Sequence, residues 1–145
     1  SCGSHLLILF YQYLQDHVLQ AALMVQQVNN THYLALNVYH EARSEPQIGQ
    51  VAVAQVTLNR ADALGLSIKE VVTQPYQFSW TFQKESYIPA NPKAFFECMH
   101  SVYVALRAPD FTSGATFYHL ETINPFWTAE LNYVNTFGTH KFYKK

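Results

Sequence analysis

Four ionisable side chains, His40, Glu41, Arg43 and Glu45, fall within six residues of a chain in which only 13% of residues are charged. Glu41 is the one with a chemical use. If the segment before it is helical, Glu41 shares a face with Leu34, Asn37 and Val38, because residues three, four and seven apart stack on one side. A carboxyl with mostly apolar neighbours is less stable in its charged form, so its pKa rises toward what a general acid needs near neutrality. The plainer reading is a solvated or salt-bridged Glu at a helix end, with Arg43 and Arg60 as available partners. Spacing leaves both open. Glycoside cleavage is the reaction that most often uses such a carboxyl, and it ordinarily uses two. Glu45 is four residues on, but Pro46 breaks the helix between them and the next element. Asp62, Glu97, Asp110, Glu121 and Glu130 are merely present.

Other chemistries are poorly supplied. There are seven His, yet His40-Glu41 does not continue as HExxH and neither Cys has a ligand-spaced partner, so no metal is expected. His40, His119 and His140 converge only if the fold brings them together. A GxSxG nucleophile and a glycine-rich phosphate loop are both missing, and no cofactor is expected.

The elements that must position Glu41 follow from periodicity. Leu7, Phe10 or Tyr11, Leu14, Val18, Ala21, Val25 and Val28 recur at three and four, the period of an amphipathic helix, which Asn29, Asn30 and Thr31 are expected to end. Residues 1–33 are therefore assigned to an N-terminal helix packed on the domain; a partner-binding or membrane-surface helix is the other reading. His5 and His17 are read as solvated, and the opening SCGSH resembles a tag scar. A second helix is predicted from Thr31 to the residues before Pro46, then a buried central helix from Gln47 to Ala61, apolar nearly all round. Ser67 and Glu70 have the form of a capping box opening a short helix closed by Pro75. Tyr76 to Ala90 is aromatic and aperiodic, an irregular segment of the kind that carries recognition residues. Asn91-Pro92 starts a further helix that ends by Pro109, and short strands are expected at Ala115–His119 and Lys141–Tyr143. Cys98 and His100 are read as flanking the core. The fold class is mainly α with a few short strands, in a single domain.

Composition narrows the partners. The 145 residues suit one core. A net charge of −1 supplies no footprint for nucleic acid or an anionic membrane. LLILFY is too short to span a bilayer, and no basic stretch precedes it. Cys2, near the terminus, is a poor partner for Cys98, so no disulfide is expected. Aromatics at 15% suit either a core or a groove.

The block YHEARSEPQIGQVAVAQVTLNR resembles the cell wall hydrolases typified by the spore cortex-lytic enzymes, with relatives among phage lysins. IKEVVTQPYQFSW, GATFYH and GTHKFY resemble that family's later motifs in the same order. Ser44 departs from a position where Gly is common. The likeness runs from about Leu34 to Tyr143, making 34–145 a cell wall hydrolase domain.

The resemblance implies a lysozyme-like fold and cleavage of the β-1,4 bond between N-acetylmuramic acid and N-acetylglucosamine in peptidoglycan, with Glu41 as the catalytic acid. It also implies a lytic transglycosylase, in which one Glu serves as acid and then base and no second carboxylate is needed; a hydrolytic muramidase or a non-catalytic wall-binding or virion module are the alternatives. Phe78, Trp80, Tyr118 and Trp127 are nominated as platforms for sugar faces, with Ser79 and His119 as hydrogen-bonding groups. Arg43, Glu45 and His140 are expected to support the site. A monomer acting on the cell wall, periplasmic or extracellular, is expected, and the compact size without targeting segments favours a phage lysin.

Overall fold

The computed structural model describes residues 1–145. Its first element is longer than expected: α1 runs unbroken over Cys2–Ala42, a rod about 60 Å long at 1.5 Å per residue. Between Gly3 and Pro46 there is no glycine or proline. Asn29, Asn30 and Thr31 each cost only ~0.7 kcal/mol or less relative to alanine, too little to end a helix that is anchored further on.

The two ends of this rod have different surroundings. Residues 34–39 and Ala42 are buried, whereas residues 1–29 are exposed at every position. The expectation that the N-terminal helix packs on the domain is not met in this structure: residues 1–29 stay exposed, and only Ala22, Val25, Gln26 and Asn29 of them come near the body, lining an open depression with Ser67, Lys69, Glu70 and Thr73.

The remaining elements close around the C-terminal third of α1. Helix α2 (Gln47–Leu64) is buried continuously from Gly49 to Thr57, as its all-round apolar pattern requires, and ends on Gly65 in the left-handed conformation. In α3 (Ile68–Val72) the Ser67 hydroxyl accepts from the Glu70 N–H at 3.1 Å. Helix α4 (Pro92–Arg107) starts on Asn91, whose side chain accepts from the Ala94 N–H. The aromatic segment between α3 and α4 holds two single 3-10 turns, Ser79–Phe82 and Lys84–Tyr87. One core joins Leu34, Val38 and Ala42 of α1 to Val51, Val53 and Val56 of α2, Cys98 and Val102 of α4, and Phe142. A smaller cluster joins Leu36, Val72, Phe78 and Trp80.

After α4 the chain forms a small antiparallel sheet in the order β1-β3-β2, with β1 at Phe117–Leu120, β2 at Asn132–Phe137 and β3 at His140–Lys144. Tyr118 pairs with Phe142 and Leu120 with His140. Strand β2 was not expected. Its two asparagines and lack of a buried face hide it, and it exists because β3 offers an edge, with a bulge between Tyr133 and Asn135.

Polar side chains on α2 fasten these parts together. Gln50 donates to the carbonyls of Arg43 and Glu45 and accepts from Ser101 on α4 at 2.7 Å. Asn59 donates to Asp110, Thr112 and the Ala115 carbonyl, so the loop leading into β1 is held against the α2 surface that also carries Arg60.

Candidate active site

Glu41 sits in the last turn of α1, half-buried, on the wall of a cleft of about 490 Å³. The opposite wall comes from β1 and β3, with Tyr118, His119 and His140, and from Trp127 in the 3-10 turn Phe126–Glu130; Arg60 at the end of α2 and Phe78 complete the floor. A neighbouring groove of about 790 Å³ shares Arg60, Gln77, Tyr118 and Trp127 with it, so the two form one continuous depression.

Burial pushes the Glu41 carboxyl above its ordinary range, and the nearby Arg60 guanidinium opposes part of that rise. The two do not form a salt bridge. Arg60 is engaged elsewhere: its Nε donates to the Thr116 carbonyl at 2.6 Å, and its guanidinium lies 5.7 Å from the Phe78 ring centroid and 5.9 Å from that of Tyr118. Burial thus favours the protonated form of Glu41 beside a cation with which it makes no ion pair.

Tyr118 faces the same space. Its hydroxyl is buried with no protein partner. Burial raises the phenol pKa, and the Glu41 charge adds to that while Arg60 opposes it. A buried hydroxyl left unpaired costs free energy, which makes this atom one of the two unsatisfied buried side-chain polar atoms, with Gln55 Oε1.

Glu45 is turned to a different task. Its Oε1 accepts from the Thr139 N–H at 2.9 Å, the Thr139 hydroxyl at 2.7 Å and His140 Nδ1 at 2.7 Å, and it is absent from the residues lining the cleft. Burial works to raise its pKa, but these hydrogen bonds from Thr139 and His140 outweigh it and hold the carboxyl below its ordinary value. The contact ties the α1–α2 junction to the β2–β3 turn, and it leaves His140 edge-on to Tyr118 at 5.3 Å. Gly138 makes the approach possible. Its φ is +60°, and a Cβ there would lie 3.2 Å from both Glu45 Oε1 and Pro46 Cδ. Gly138→Ala is therefore expected to lower stability by about 1 to 2 kcal/mol through strain and the displaced carboxylate, read as a fall in the urea midpoint with an unchanged slope.

The other nominated residues divide. Phe78 and Trp127 line the cleft, Phe78 from a buried position and Trp127 half-buried against Phe117 at 5.7 Å. His119 also lines it, but its hydrogen-bonding capacity is spent within the protein: Nδ1 on the Leu120 carbonyl at 2.6 Å and Nε2 on the Tyr143 hydroxyl at 2.9 Å. Ser79 is exposed and outside the cleft lining. Trp80 is a core residue, stacked on His40 at 4.8 Å with its indole N–H on Asn37. Arg43 is not an ion-pair partner; it caps α1 from the surface and lies over the Tyr39 ring at 4.9 Å. Arg60 and Gln77 are the cleft residues that sequence reasoning underrated. The signal for Arg60 was its place in the Asn-Arg helix end, which spacing could read only as a partner for Glu41.

Comparison with known proteins matches this architecture. The family model described as Cell Wall Hydrolase covers residues 44–143; it takes in Glu45, Arg60, Tyr118 and His140 and begins just after Glu41. The chain is 32% identical over 117 residues to the spore cortex-lytic enzyme of Halalkalibacterium halodurans, covering 79% of this chain and 34% of that one. It is 30% identical over 119 residues to the spore cortex-lytic enzyme of Bacillus cereus, covering 80% and 44%. It thus spans between a third and a half of the length of these curated relatives.

Among solved structures it is similar to the catalytic domain of the germination-specific lytic transglycosylase SleB from Bacillus anthracis, with a TM-score of 0.69 and 29% identity over 80% of this chain and 94% of that one. The catalytic domain of Bacillus cereus SleB matches with a TM-score of 0.68 and 28% identity, over 80% and 90%. The mainly helical fold with its three-stranded sheet is the lysozyme-like fold of those domains, and the chain belongs to the cell wall hydrolase family.

Proposed function

We propose that the protein is a peptidoglycan lytic transglycosylase that cleaves the bond from N-acetylmuramic acid to N-acetylglucosamine with Glu41 as its only acid and base. The observation that carries this is the cleft itself: Glu41 is the one carboxyl on its lining, with Glu45 bonded away to Thr139 and His140. A two-carboxylate glycosidase needs a second acid about 5 to 9.5 Å away across the scissile bond, and no Asp or Glu lines the cleft to play it. The names of the structural neighbours point the same way.

The chemistry balances with one carboxyl. Protonated Glu41 gives its proton to the glycosidic oxygen as the C1–O bond breaks, and the N-acetylglucosamine side leaves as an alcohol. The carboxylate so formed then takes the proton of the muramic C6 hydroxyl while that oxygen bonds to C1, closing a 1,6-anhydro ring and restoring the acid. Water is not consumed. The acetamido group of the substrate is available to stabilise the cation-like centre between the steps. The half-buried rings of Tyr118 and Trp127 offer surface to sugar faces, with Phe78, 3% exposed, backing the cleft behind Arg60.

The named relatives are spore enzymes of bacteria, so they lend no support to the phage-lysin setting, and the proposal is confined to the reaction. Product mass tests it. Digests of purified sacculi are expected to yield muropeptides one water lighter than those of a hydrolytic muramidase; reducing-end products in their place would sink the transglycosylase reading and leave the muramidase.

The pH dependence offers a further check on Glu41. Activity is expected to fall on the alkaline side as the raised Glu41 pKa is passed, since the acid must enter the cycle protonated. Arg60 lowers that pKa, so Arg60→Met is expected to move the alkaline limb to higher pH. A limb that stays in place or moves down would show that the titrating group is not Glu41.

A further inference from the structure

The first 28 residues of α1 take no part in the cleft or the core. Along them Leu7, Tyr11, Leu14, Val18, Ala21, Val25 and Val28 step by four and three without a break, the spacing of a coiled-coil seam, with Ile8, Phe10, Ala22 and Met24 widening it and Leu19 and Leu23 on the outer face. All seven are exposed, from 45% at Leu14 to 70% at Val18. Gln15 and His17 flank the seam in its middle and Ala22 and Met24 further on, while Gln12, Gln20, Gln26 and Gln27 lie on the outer face, away from the seam. The single charged carboxylate, Asp16, falls directly opposite it.

We infer that residues 7–28 pair with the same helix of a second copy of this chain, making a two-stranded coiled-coil dimer in place of the monomer expected from the sequence. Three features favour this occupant. Tyr11, Val18 and Val25 fall at one seam position and Leu7, Leu14, Ala21 and Val28 at the other; in a parallel pair β-branched Val at the first suits two strands. The seam and its flanks hold no ionised side chain between Leu7 and Asp16 or between His17 and Val28, so two copies meet without like-charge repulsion. Seven seam side chains, with Ile8, Phe10 and Met24 beside them, bring the order of 800 Å² per partner into contact, the size of a standard specific interface.

A lipid surface fits less well. No Lys or Arg precedes Arg43, so attraction to anionic headgroups is absent, and no helix is long and apolar enough to cross a membrane. The turns from Leu6 to Tyr11 and from Ala21 to Val25 are apolar on every side, so the test carries a lipid arm of its own.

Sedimentation of the full chain from about 1 to 100 μM, a range that brackets a micromolar self-association, is expected to show a species of twice the 16.6 kDa chain mass. Val18→Glu with Val25→Glu places charges in the seam and is expected to return the mass to one chain. Leu23→Glu, on the face opposite the seam, is expected to leave the dimer intact. All three positions are exposed and outside the core, with Val25 nearest the body across the depression it shares with Lys69 and Glu70, and circular dichroism serves as the control for the fold. A single-chain mass for the unaltered protein throughout that range would overturn the inference. So would Leu23→Glu dissociating the dimer as fully as the seam variant, which marks unspecific association of an apolar rod, or a monomer that floats with phosphatidylcholine vesicles, which assigns the helix to lipid. None of these outcomes depends on the reaction assigned to the cleft.

Discussion

Glu41→Gln is expected to lower turnover of sacculi by about 10³-fold or more, at the upper end of what a single acid–base group contributes, because in the proposed reaction the same carboxyl serves both proton transfers. The variant keeps the shape of the side chain and removes only the titratable proton. Stability should move the other way. A carboxyl whose folded pKa is raised above its unfolded value costs stability progressively as the pH rises past the unfolded value, and the loss is complete above the folded pKa, with charge then held where burial disfavours it. Glutamine carries no such charge, so the variant is expected to melt at or slightly above the wild-type temperature at neutral pH, with the difference vanishing below the ordinary carboxyl range. Turbidity loss of sacculi together with calorimetry reads both. A folded variant with undiminished turnover would remove Glu41 from its role and return attention to Glu45.

Glu45→Ala is expected to be the most destabilising change near the site, by roughly 3 kcal/mol, because it strands the Thr139 N–H, the Thr139 hydroxyl and His140 Nδ1, all of which now meet one charged oxygen. For a chain of this size that corresponds to a fall in Tm of about 10 °C. Turnover measured well below the new Tm should drop far less than in Glu41→Gln, since Glu45 acts by holding the β2–β3 turn and His140 in place. The pH dependence has a definite sign. The folded pKa of Glu45 lies below its unfolded value of 4.5, so the unfolded state binds the extra proton and the stabilisation is complete above that value. It is lost as the pH falls through the folded pKa. Glu45→Gln should therefore flatten the acid limb of the stability curve, and an unchanged limb would show that the contact contributes little.

The contrast between these two glutamates marks the border between sequence and fold. They stand four residues apart in one charged cluster, and local pattern says only that Glu41 has apolar neighbours while Glu45 lies by a proline. The partners that separate their roles are far along the chain: Thr139 and His140 bind Glu45 across more than ninety residues, and Arg60 and Tyr118 face Glu41 from α2 and β1. Aromatic residues show the same limit. Phe78 and Trp80 lie in one motif, yet Trp80 is turned inward by its stack on His40 and its bond to Asn37, and only Phe78 reaches the cleft.

What the amino-acid sequence determined by itself was whatever local energetics decide. It specified the buried central helix through an all-round apolar run, the starts of α3 and α4 through Ser67 and Asn91, the turn at Gly138, and the membership of a family through four ordered motifs. Tertiary structure alone decided the rest. It carried α1 through Asn29-Asn30-Thr31 because propensity penalties there are smaller than the anchoring that follows, and it left the first 29 residues exposed. It added β2 because a strand with little pattern of its own is stabilised by the edge it pairs with. It also put Glu41 alone in its cleft, since burial and partners from distant segments, which no spacing rule encodes, set which carboxyl keeps its proton.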